Sequence, residues 1–278
     1  MINLGQMNTL TVVKQVPFGI YLDGGDEGEI LLPKKFVPEG CEYGDELNVF
    51  IYCDSDDKLI ATTQRPRAMV GQFAFLRVVS VNRVGAFLDW GLSKDLLVPY
   101  PQQRRPMEEG KSYIVYVNID NEGRVVATSK IDKFLDQWPA NYEVGETVKL
   151  LTAERTEMGT KVIINHRHWG LVHKDEVFKS LVYGKRIDGY IKKVRADGKI
   201  DVVLSPIGRD KVAVLADRIV LALRKNDGFL GMHDKSSPDE IKKIFGESKK
   251  TFKSALGFLY KQGKIEMESS GIRLKEAD

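Results

Sequence analysis

Apolar and polar residues alternate with a period of two through most of residues 1–206, and clusters of Gly, Pro and Asp interrupt the alternation. Such segments are typical of short strands joined by turns. One longer pattern begins three times, at Gly19, Gly85 and Gly159. In each copy a short segment ending in Pro or His lies 12 to 14 residues after the glycine, and another glycine lies 25 residues after it. These pairs are Leu31-Leu32-Pro33 with Gly44, Leu97-Val98-Pro99 with Gly110, and Leu171-Val172-His173 with Gly184.

Each copy then continues through an alternating apolar stretch and closes on a short strand. The repeat is about 65 residues long with roughly five strand-like segments, which predicts a small closed barrel. A barrel of this size bends its strands sharply, and a glycine inside a strand permits the bend and a close approach of the neighbouring backbone. Closure also removes the sheet edges through which separate molecules would pair.

Beyond residue 208 the apolar period changes from two to 3.6, which predicts helices. The stripe of the first helix consists of Val212, Leu215, Ile219 and Leu223. Ser237 begins a second helix, with Pro238 in the first position and Glu240 three residues after the cap. Ser248 begins a third, and two short apolar segments around Ser269-Ser270 predict a hairpin. Three helices followed by a hairpin favour a winged helix.

These patterns predict a multidomain, mainly β protein, with three tandem five-stranded barrels of the OB-fold type and a C-terminal α+β winged helix-turn-helix domain. The expected barrels span residues 1–64, 68–130 and 143–208, and the winged helix spans 210–278. Residues 131–142 are expected to form a helical linker that ends near Pro139 and docks the second barrel onto the third. Its apolar residues at helical spacing are Ile131, Phe134, Leu135 and Trp138.

Composition places the chain among ordinary globular proteins, with 42% hydrophobic residues and no apolar run of about 18 residues that would span a membrane. Two cysteines cannot build a disulfide framework, and the chain begins without a secretory pattern, so a cytoplasmic location is expected. The sequence has no phosphate-binding glycine loop, nucleophile elbow or metal-spaced carboxylate pair. We therefore expect no enzyme, no cofactor and no small-molecule substrate.

Charge is distributed unevenly along the chain. Residues 1–70 carry 6 Lys and Arg against 11 Asp and Glu, whereas residues 143–209 carry 13 against 9. A polyanion would therefore be neutralised mainly by the C-terminal half. The candidate phosphate contacts in loops or strand ends of the second and third barrels are Arg104, Arg105, Lys174, Lys192, Lys193 and Arg195. Lys249, Lys250 and Lys253 lie along the outer side of the third helix, which enters a groove when a winged helix binds nucleic acid.

Aromatic side chains supply the other half of a single-strand site, because bases stack on them while cations follow the phosphates. The candidate contacts are Phe18, Tyr21, Phe87, Trp169 and His173. Packing inside the barrel core is the alternative for these rings. Strand alternation predicts that Phe18 shares a face with Ile20 and that Tyr21 lies on the opposite face.

Three histidines lie close together in the sequence, at His166, His168 and His173. Two histidines spaced two apart on one strand face can bind zinc, but no cysteine and no clear third ligand lie nearby. No metal site is expected.

Three segments resemble the hallmark strands of the S-one domain, the RNA-binding barrel first known in ribosomal small-subunit protein one. They are Phe18-Gly19-Ile20-Tyr21, Val84-Gly85-Ala86-Phe87 and Gly170-Leu171-Val172-His173. Three such barrels followed by a winged helix resemble the conserved virulence factor B family of bacteria. The resemblance implies an RNA-binding, regulatory and non-enzymatic protein. No copy carries the full set, since Pro33 and Pro99 replace the histidine, and Met158 and Lys161 replace the aromatics.

The sequence therefore predicts a protein that binds single-stranded RNA along tandem barrels. Two alternatives remain open. One is a regulator that binds DNA through its winged helix. The other is a protein adaptor on the ribosome or the RNA-decay machinery, which the acidic first barrel favours.

Overall fold

A computed structural model describes residues 1–174, 181–206 and 209–275 of the chain. It contains three five-stranded, barrel-like sheets, followed by three α-helices and a small three-stranded sheet. The predicted mainly β, multidomain fold is confirmed.

The first barrel closes completely. Its hydrogen-bonded strand order is β1-β2-β3-β5-β4, and alternate side chains such as those of Val12, Leu22 and Ile51 fill its interior. The strands are β1 (Met7–Val16), β2 (Gly19–Asp23), β3 (Glu29–Pro33), β4 (Glu46–Cys53) and β5 (Leu59–Thr62).

The second barrel has the same strand neighbours, but its backbone ladder does not close between the two edge strands. The five strands nevertheless form the predicted barrel-like sheet, because the two edge strands lie side by side. The carbonyl of Gln102, just after the third strand, instead accepts hydrogen bonds from Thr128 Oγ1 at 3.0 Å and the Ser129 N–H at 3.0 Å. The strands are β6 (Phe73–Asn82), β7 (Gly85–Asp89), β8 (Leu96–Pro99), β9 (Ser112–Ile119) and β10 (Val125–Thr128).

The third barrel is closed in the order β11-β12-β13-β15-β14, which matches the first barrel strand for strand. Its interior holds Leu150, Val162, Val172 and Val202. The strands are β11 (Thr147–Arg155), β12 (Gly159–Ile164), β13 (His168–His173), β14 (Arg186–Val194) and β15 (Ile200–Val203).

The three repeated glycines occupy the same packing site in each barrel. Each begins the second strand, directly opposite the last residue of the third strand. A Cβ atom on Gly19, Gly85 or Gly159 would lie 2.2, 2.3 or 2.1 Å from a backbone carbonyl oxygen of that neighbouring strand. Because backbone cannot move aside as a flexible side chain can, the repeat requires glycine at this position.

Aromatic packing joins the first barrel to the second. Phe50 and Tyr52 of β4 contact the Trp90 ring edge-on, with centroids 5.6 and 6.4 Å away. Lys94 Nζ donates to the carbonyl oxygens of Cys53 and Asp54 at 3.0 and 2.5 Å. Trp90 is buried, and Phe50 and Tyr52 of the first barrel lie in the same apolar cluster as the core of the second barrel. This junction is therefore continuous with that core.

The segment between the second and third barrels differs from the predicted helical linker. Only Ile131–Phe134 forms a helical turn, of the 3-10 type, and Leu135 is extended. Ile131 and Leu135 nevertheless dock as expected, because they join a buried cluster that combines Phe73 of β6 with Ile163 of β12. Trp138 does not belong to this cluster, and it is 67% exposed. The sequence spacing therefore predicted the docking residues but not the backbone that carries them.

A histidine from the third barrel also holds this junction. His166 lies in the turn between β12 and β13 with a φ of 58°, and its Nδ1 accepts the backbone N–H of Phe73 at 2.9 Å. The two rings stack with centroids 6.3 Å apart. Arg186 donates to the carbonyl oxygens of Arg67 and Phe73 at 3.1 and 3.2 Å. Burial, with a smaller contribution from the Arg186 charge, lowers the pKa of His166 to about 4.

Because folding lowers the pKa of His166, the free energy of unfolding depends on pH. Above the ordinary pKa of 6.5 the ring is neutral in both the folded and the unfolded chain. As the pH falls below 6.5, the unfolded chain binds a proton that the folded chain accepts only near pH 4, so stability is lost across this window.

His166→Asn tests this dependence, because asparagine tolerates the left-handed backbone and its Oδ1 can accept the same N–H. We expect the free energy of unfolding, measured in urea, to fall more between pH 7 and pH 5 for the wild type than for the variant. Parallel pH curves for the two proteins would contradict this role of His166.

The C-terminal elements follow the predicted winged-helix order. Ser237 Oγ accepts the Glu240 N–H, and the Glu240 carboxylate accepts the Ser237 N–H, both at 3.2 Å, which completes the predicted capping box. The elements are α1 (Arg209–Lys225), β16 (Phe229–Leu230), α2 (Pro238–Phe245), α3 (Lys249–Lys261), β17 (Ile265–Glu268) and β18 (Gly271–Leu274). The three strands form a sheet in the order β16-β18-β17. Among the described residues, no helix has the length and apolar character needed to cross a membrane.

Candidate nucleic-acid interface

The second and third strands of each barrel present an outward row of side chains, and the repeat places corresponding residues at the same points of that row. Two residues after the repeated glycine lie Tyr21, Phe87 and Lys161, each half-buried and each paired across the ladder with a leucine. The first two barrels thus carry an aromatic ring where the third carries a cation.

The next positions of the row differ in charge. Four residues after the glycine lie Asp23, Asp89 and Ile163, and ten residues after it lie Glu29, Asp95 and Trp169. Asp89 is paired with the Arg67 guanidinium at 2.8 Å, and burial together with the nearby Asp89 charge raises the pKa of Asp95. Carboxylates at both positions repel phosphate in the first two barrels, whereas the third barrel has apolar groups there.

The outward face of the third barrel forms a groove of about 920 Å³. Lys161 Nζ lies 4.0 Å from the centre of the Trp169 ring, a distance typical of a cation–π contact. Leu171 and Met158 add apolar surface, and Trp138 reaches the groove from the inter-barrel segment. Loops 156–158 and 197–199 border the groove. Strands two and three with these two loops are the surface with which OB-folds bind oligonucleotides.

A second cavity of about 530 Å³ continues from this groove into the cleft between the second and third barrels, since Lys161 and Trp169 line both. Arg104 and Arg105 line its other side. Arg104 lies 3.6 Å from Asp132 in an exposed ion pair, and Arg105 lies 5.7 Å from the centre of the Tyr113 ring. The fold thus brings the adjacent candidates Arg104 and Arg105 to one continuous surface with Trp169, which is distant in sequence.

His173 and Arg195 meet at a shared carboxylate. His173 Nε2 lies 2.9 Å from Asp201 Oδ1, and the Arg195 guanidinium donates to both Asp201 oxygens at 2.7 and 2.8 Å. Burial of Asp201 would raise its pKa, but hydrogen bonds from Arg195 and His173 outweigh burial and lower it. Both candidate residues are therefore held by hydrogen bonds to Asp201 at the end of the outward row.

The three aromatic candidates outside the third barrel do not belong to the barrel cores. Phe18 is 56% exposed, and its ring contacts that of Tyr21 edge-on at 6.4 Å. Ile20 lies in the core, so the expectation that Phe18 shares its face is wrong. Phe18 belongs to the turn before β2, where strand alternation has not begun. Phe87 is half-buried on the outward row of the second barrel.

The remaining lysine candidates of the third barrel are exposed. Lys174 follows β13, and Lys192 and Lys193 lie on β14. A bulge between Ile191 and Lys193 interrupts the pairing of β14 with β15. Such a bulge breaks strand alternation, so two successive lysines both face solvent.

In the winged helix, the third helix carries Lys249, Lys250 and Lys253 as predicted. Lys249 Nζ donates to the Lys235 carbonyl at 3.2 Å, and Lys253 Nζ lies 3.6 Å from Asp234. The loop before α2 thus engages two of the three cations, and Lys250 is exposed.

The histidines have separate partners. His166 faces the second barrel, and His168, only 3% exposed, contacts the Trp138 carbonyl and the Tyr142 hydroxyl. Within the described ranges, no group of three or more His, Cys, Asp and Glu side chains is arranged to hold a metal ion.

Comparison with known proteins agrees with this architecture. The model of the S1 domain, the S-one barrel, matches residues 4–64 and 70–130, and the model of the CvfB-like winged helix domain matches residues 217–274. The Bacillus subtilis protein named uncharacterized protein YitL is 33% identical over 279 residues, which cover 95% of this chain and 91% of that protein. Conserved virulence factor B of Staphylococcus epidermidis is 27% identical over 265 residues, covering 91% and 89%. The chain belongs to the conserved virulence factor B family.

A crystal structure from Streptococcus pneumoniae, described as a multidomain protein with nucleic acid binding domains, shares 26% identity with this family member. It covers 98% of both chains with a TM-score of 0.42. The two S1 domain matches support nucleic-acid binding.

Sequence reasoning did not select Lys161 or Trp138 as residues of this groove. The helical spacing of Trp138 with Ile131 and Leu135 favoured a docking role, whereas the structure ends the helical turn at Phe134. The sequence does distinguish Trp169. It lies ten residues after the repeated glycine, where the other two copies have Glu29 and Asp95.

Proposed function

We propose that this protein is an RNA-binding regulatory protein without enzymatic activity. It binds single-stranded RNA along the outward face of the third barrel and the cleft toward the second barrel. The observation that carries this proposal is the continuous surface on which Trp138, Trp169 and Lys161 meet Arg104 and Arg105. Aromatic surface for bases and cations for phosphates are the two components of a single-strand site.

A single strand fits this surface better than a duplex. Bases stacked inside a duplex do not offer their faces to a tryptophan, whereas unpaired bases do. The first and second barrels retain Tyr21 and Phe87, but the carboxylates beside these rings weaken the attraction for phosphates. We therefore assign them a supporting role, in which they extend the array. They are joined to each other at Trp90, and the second barrel is joined to the third at His166.

Fluorescence polarisation with labelled single-stranded RNA, matched single-stranded DNA and duplex DNA tests the proposal on the full chain at two salt concentrations. We expect RNA to bind most tightly and binding to weaken steeply with salt. Trp169→Ala should weaken single-strand binding, and Lys250→Glu should not. If duplex DNA binds more tightly and Lys250→Glu abolishes it, the protein acts instead through its winged helix.

Arg104→Gln together with Arg105→Gln should reduce the salt dependence of RNA binding. Each phosphate contact on a single strand adds about 0.7 to the slope of log K against log salt, so the double variant should lose about 1.4. The control Lys58→Gln removes an exposed cation from the first barrel and should leave the slope unchanged. Equal slopes for the wild type and the double variant would exclude the inter-barrel cleft from the RNA path.

A protein adaptor is the second candidate function, and the acidic rows of the first two barrels favour it. Asp23, Glu29, Asp89 and Asp95 suit a basic protein surface. Failure of all three nucleic acids to bind would leave this function in place of the first.

A further inference from the structure

The inter-barrel segment runs along the groove of the third barrel and is fixed there by polar contacts. Asp136 Oδ1 accepts the backbone N–H of Trp169 at 2.9 Å, and the Asp136 N–H donates to the Arg167 carbonyl at 2.9 Å. His168 Nε2 lies 2.8 Å from the Trp138 carbonyl oxygen, and its Nδ1 lies 2.9 Å from the Tyr142 hydroxyl. Because His168 is buried, these contacts hold the backbone of Trp138 in one place.

The Trp138 side chain is exposed although its backbone is fixed. The indole is 67% exposed, whereas Trp90 at the first junction is 2% exposed. Two of the three tryptophans of the chain, Trp138 and Trp169, therefore line one groove. An exposed indole on a fixed backbone gains contact area when a ligand binds to it. Because the backbone is already ordered, binding costs little additional backbone entropy.

We propose that Trp138 forms the second wall of a nucleobase slot whose first wall is Trp169, and that one unpaired base of the bound strand inserts against it. This inference rests on the function proposed above and names the residue that selects a base rather than a phosphate. The charges of the groove are balanced, because Asp136, Glu157 and Asp197 line it together with Lys161 and Lys199, and Lys199 Nζ lies 2.9 Å from Asp197. A flat, uncharged base therefore suits the groove better than a phosphate, and the cations for the flanking phosphates are Lys161 and, in the adjoining cleft, Arg104 and Arg105. A flat aromatic ring gains from both indoles, and the flanking phosphates gain from the cations.

The slot is specific to the third barrel. The residue corresponding to Trp138 before the second barrel is Gln64, 21 residues ahead of its repeated glycine. The position corresponding to Trp169 holds an acidic residue in both other barrels. A base bound by the array would therefore be captured at one point, while the neighbouring nucleotides are held mainly through their phosphates.

The test uses the full chain and a 12-nucleotide oligouridylate. Trp138→Ala should weaken binding about 5- to 150-fold, the range measured for loss of one base–aromatic stack. Trp138→Phe should retain most of the affinity. Because the removed group is neutral, the fold-change should be the same at low and high salt. The melting temperature should not fall, because the side chain is exposed.

Tryptophan fluorescence supplies a second readout. In the variant Trp169→Phe, the remaining emitters are the buried Trp90 and the exposed Trp138, so RNA should quench the exposed component. If the wild type binds RNA while Trp138→Ala binds equally well and no quenching occurs, the slot is refuted and the proposed function stands. If the wild type binds no RNA, both fail. Quenching by uridine monophosphate with the same affinity as the oligonucleotide would overturn capture from a strand in favour of a free nucleotide.

Discussion

Gly85→Ala is expected to destabilise the protein by on the order of 3 kcal/mol or more. The new Cβ would lie 2.3 Å from the carbonyl oxygen of Val98 and 2.9 Å from the Cα of Pro99. Both atoms belong to the backbone of β8, so relief requires the strand to move. The second barrel also packs against both neighbours, through Trp90 on one side and Phe73 on the other. A shift of its strands would therefore disturb two junctions as well as one core.

Urea unfolding followed by circular dichroism measures this effect. Gly257→Ala is the matched control, because Gly257 lies in α3 with ordinary helical backbone, and its new methyl group would meet no neighbouring atom within 4 Å. That change should stabilise the helix by up to about 1 kcal/mol. An unchanged unfolding midpoint for Gly85→Ala would show that the close approach of β7 and β8 does not constrain the sequence.

The repeated glycine explains why so much of the fold could be predicted. A backbone contact that admits no side chain fixes glycine at one point of each copy, and the spacing to the following strands is then set by barrel geometry. Gly19, Gly85 and Gly159 could therefore be aligned without any structure. The cap at Ser237 was equally predictable, because the residues that complete it lie within three positions of each other.

The features that were not predicted depend on contacts between distant residues. The ladder of the second barrel stays open beside Gln102, and the inter-barrel segment forms one 3-10 turn because Ile131 and Leu135 are held by β6 and β12 together. Helical spacing alone cannot distinguish this arrangement from a helix. Trp138 was misassigned for the same reason, since its position is set by His168 on the neighbouring strand.

The three copies of the repeat differ from one another along the outward row. Part of this difference follows from the fold, because Ile163 is buried in the inter-barrel cluster and Trp169 packs against that cluster. Ten residues after the glycine, two copies carry carboxylates and the third carries Trp169. This contrast supports a division of labour in which the first two barrels extend and orient the third.

Trp169→Asp is expected to weaken single-stranded RNA binding by about 100-fold. The change removes one base–aromatic stack, worth roughly 1–3 kcal/mol. It also places a carboxylate beside Lys161, whose charge would then be neutralised within the protein. An acidic residue is compatible with this point of the barrel, because Asp95 occupies the corresponding position in the second copy. Fluorescence polarisation gives the affinity, and the melting temperature reports any loss of packing against the inter-barrel cluster.

Asp95→Asn is the matched control, since it changes the corresponding position of the second barrel. It should leave RNA affinity within about twofold of the wild type, because one carboxylate removed from a barrel that supports binding changes only weak, screened interactions. Trp169→Phe should fall between the wild type and Trp169→Asp, because it keeps a smaller stacking surface without adding charge. Equal losses from Asp95→Asn and Trp169→Asp would mean that the strand crosses the second and third barrels alike. The charge difference between their outward rows would then have no bearing on where RNA binds.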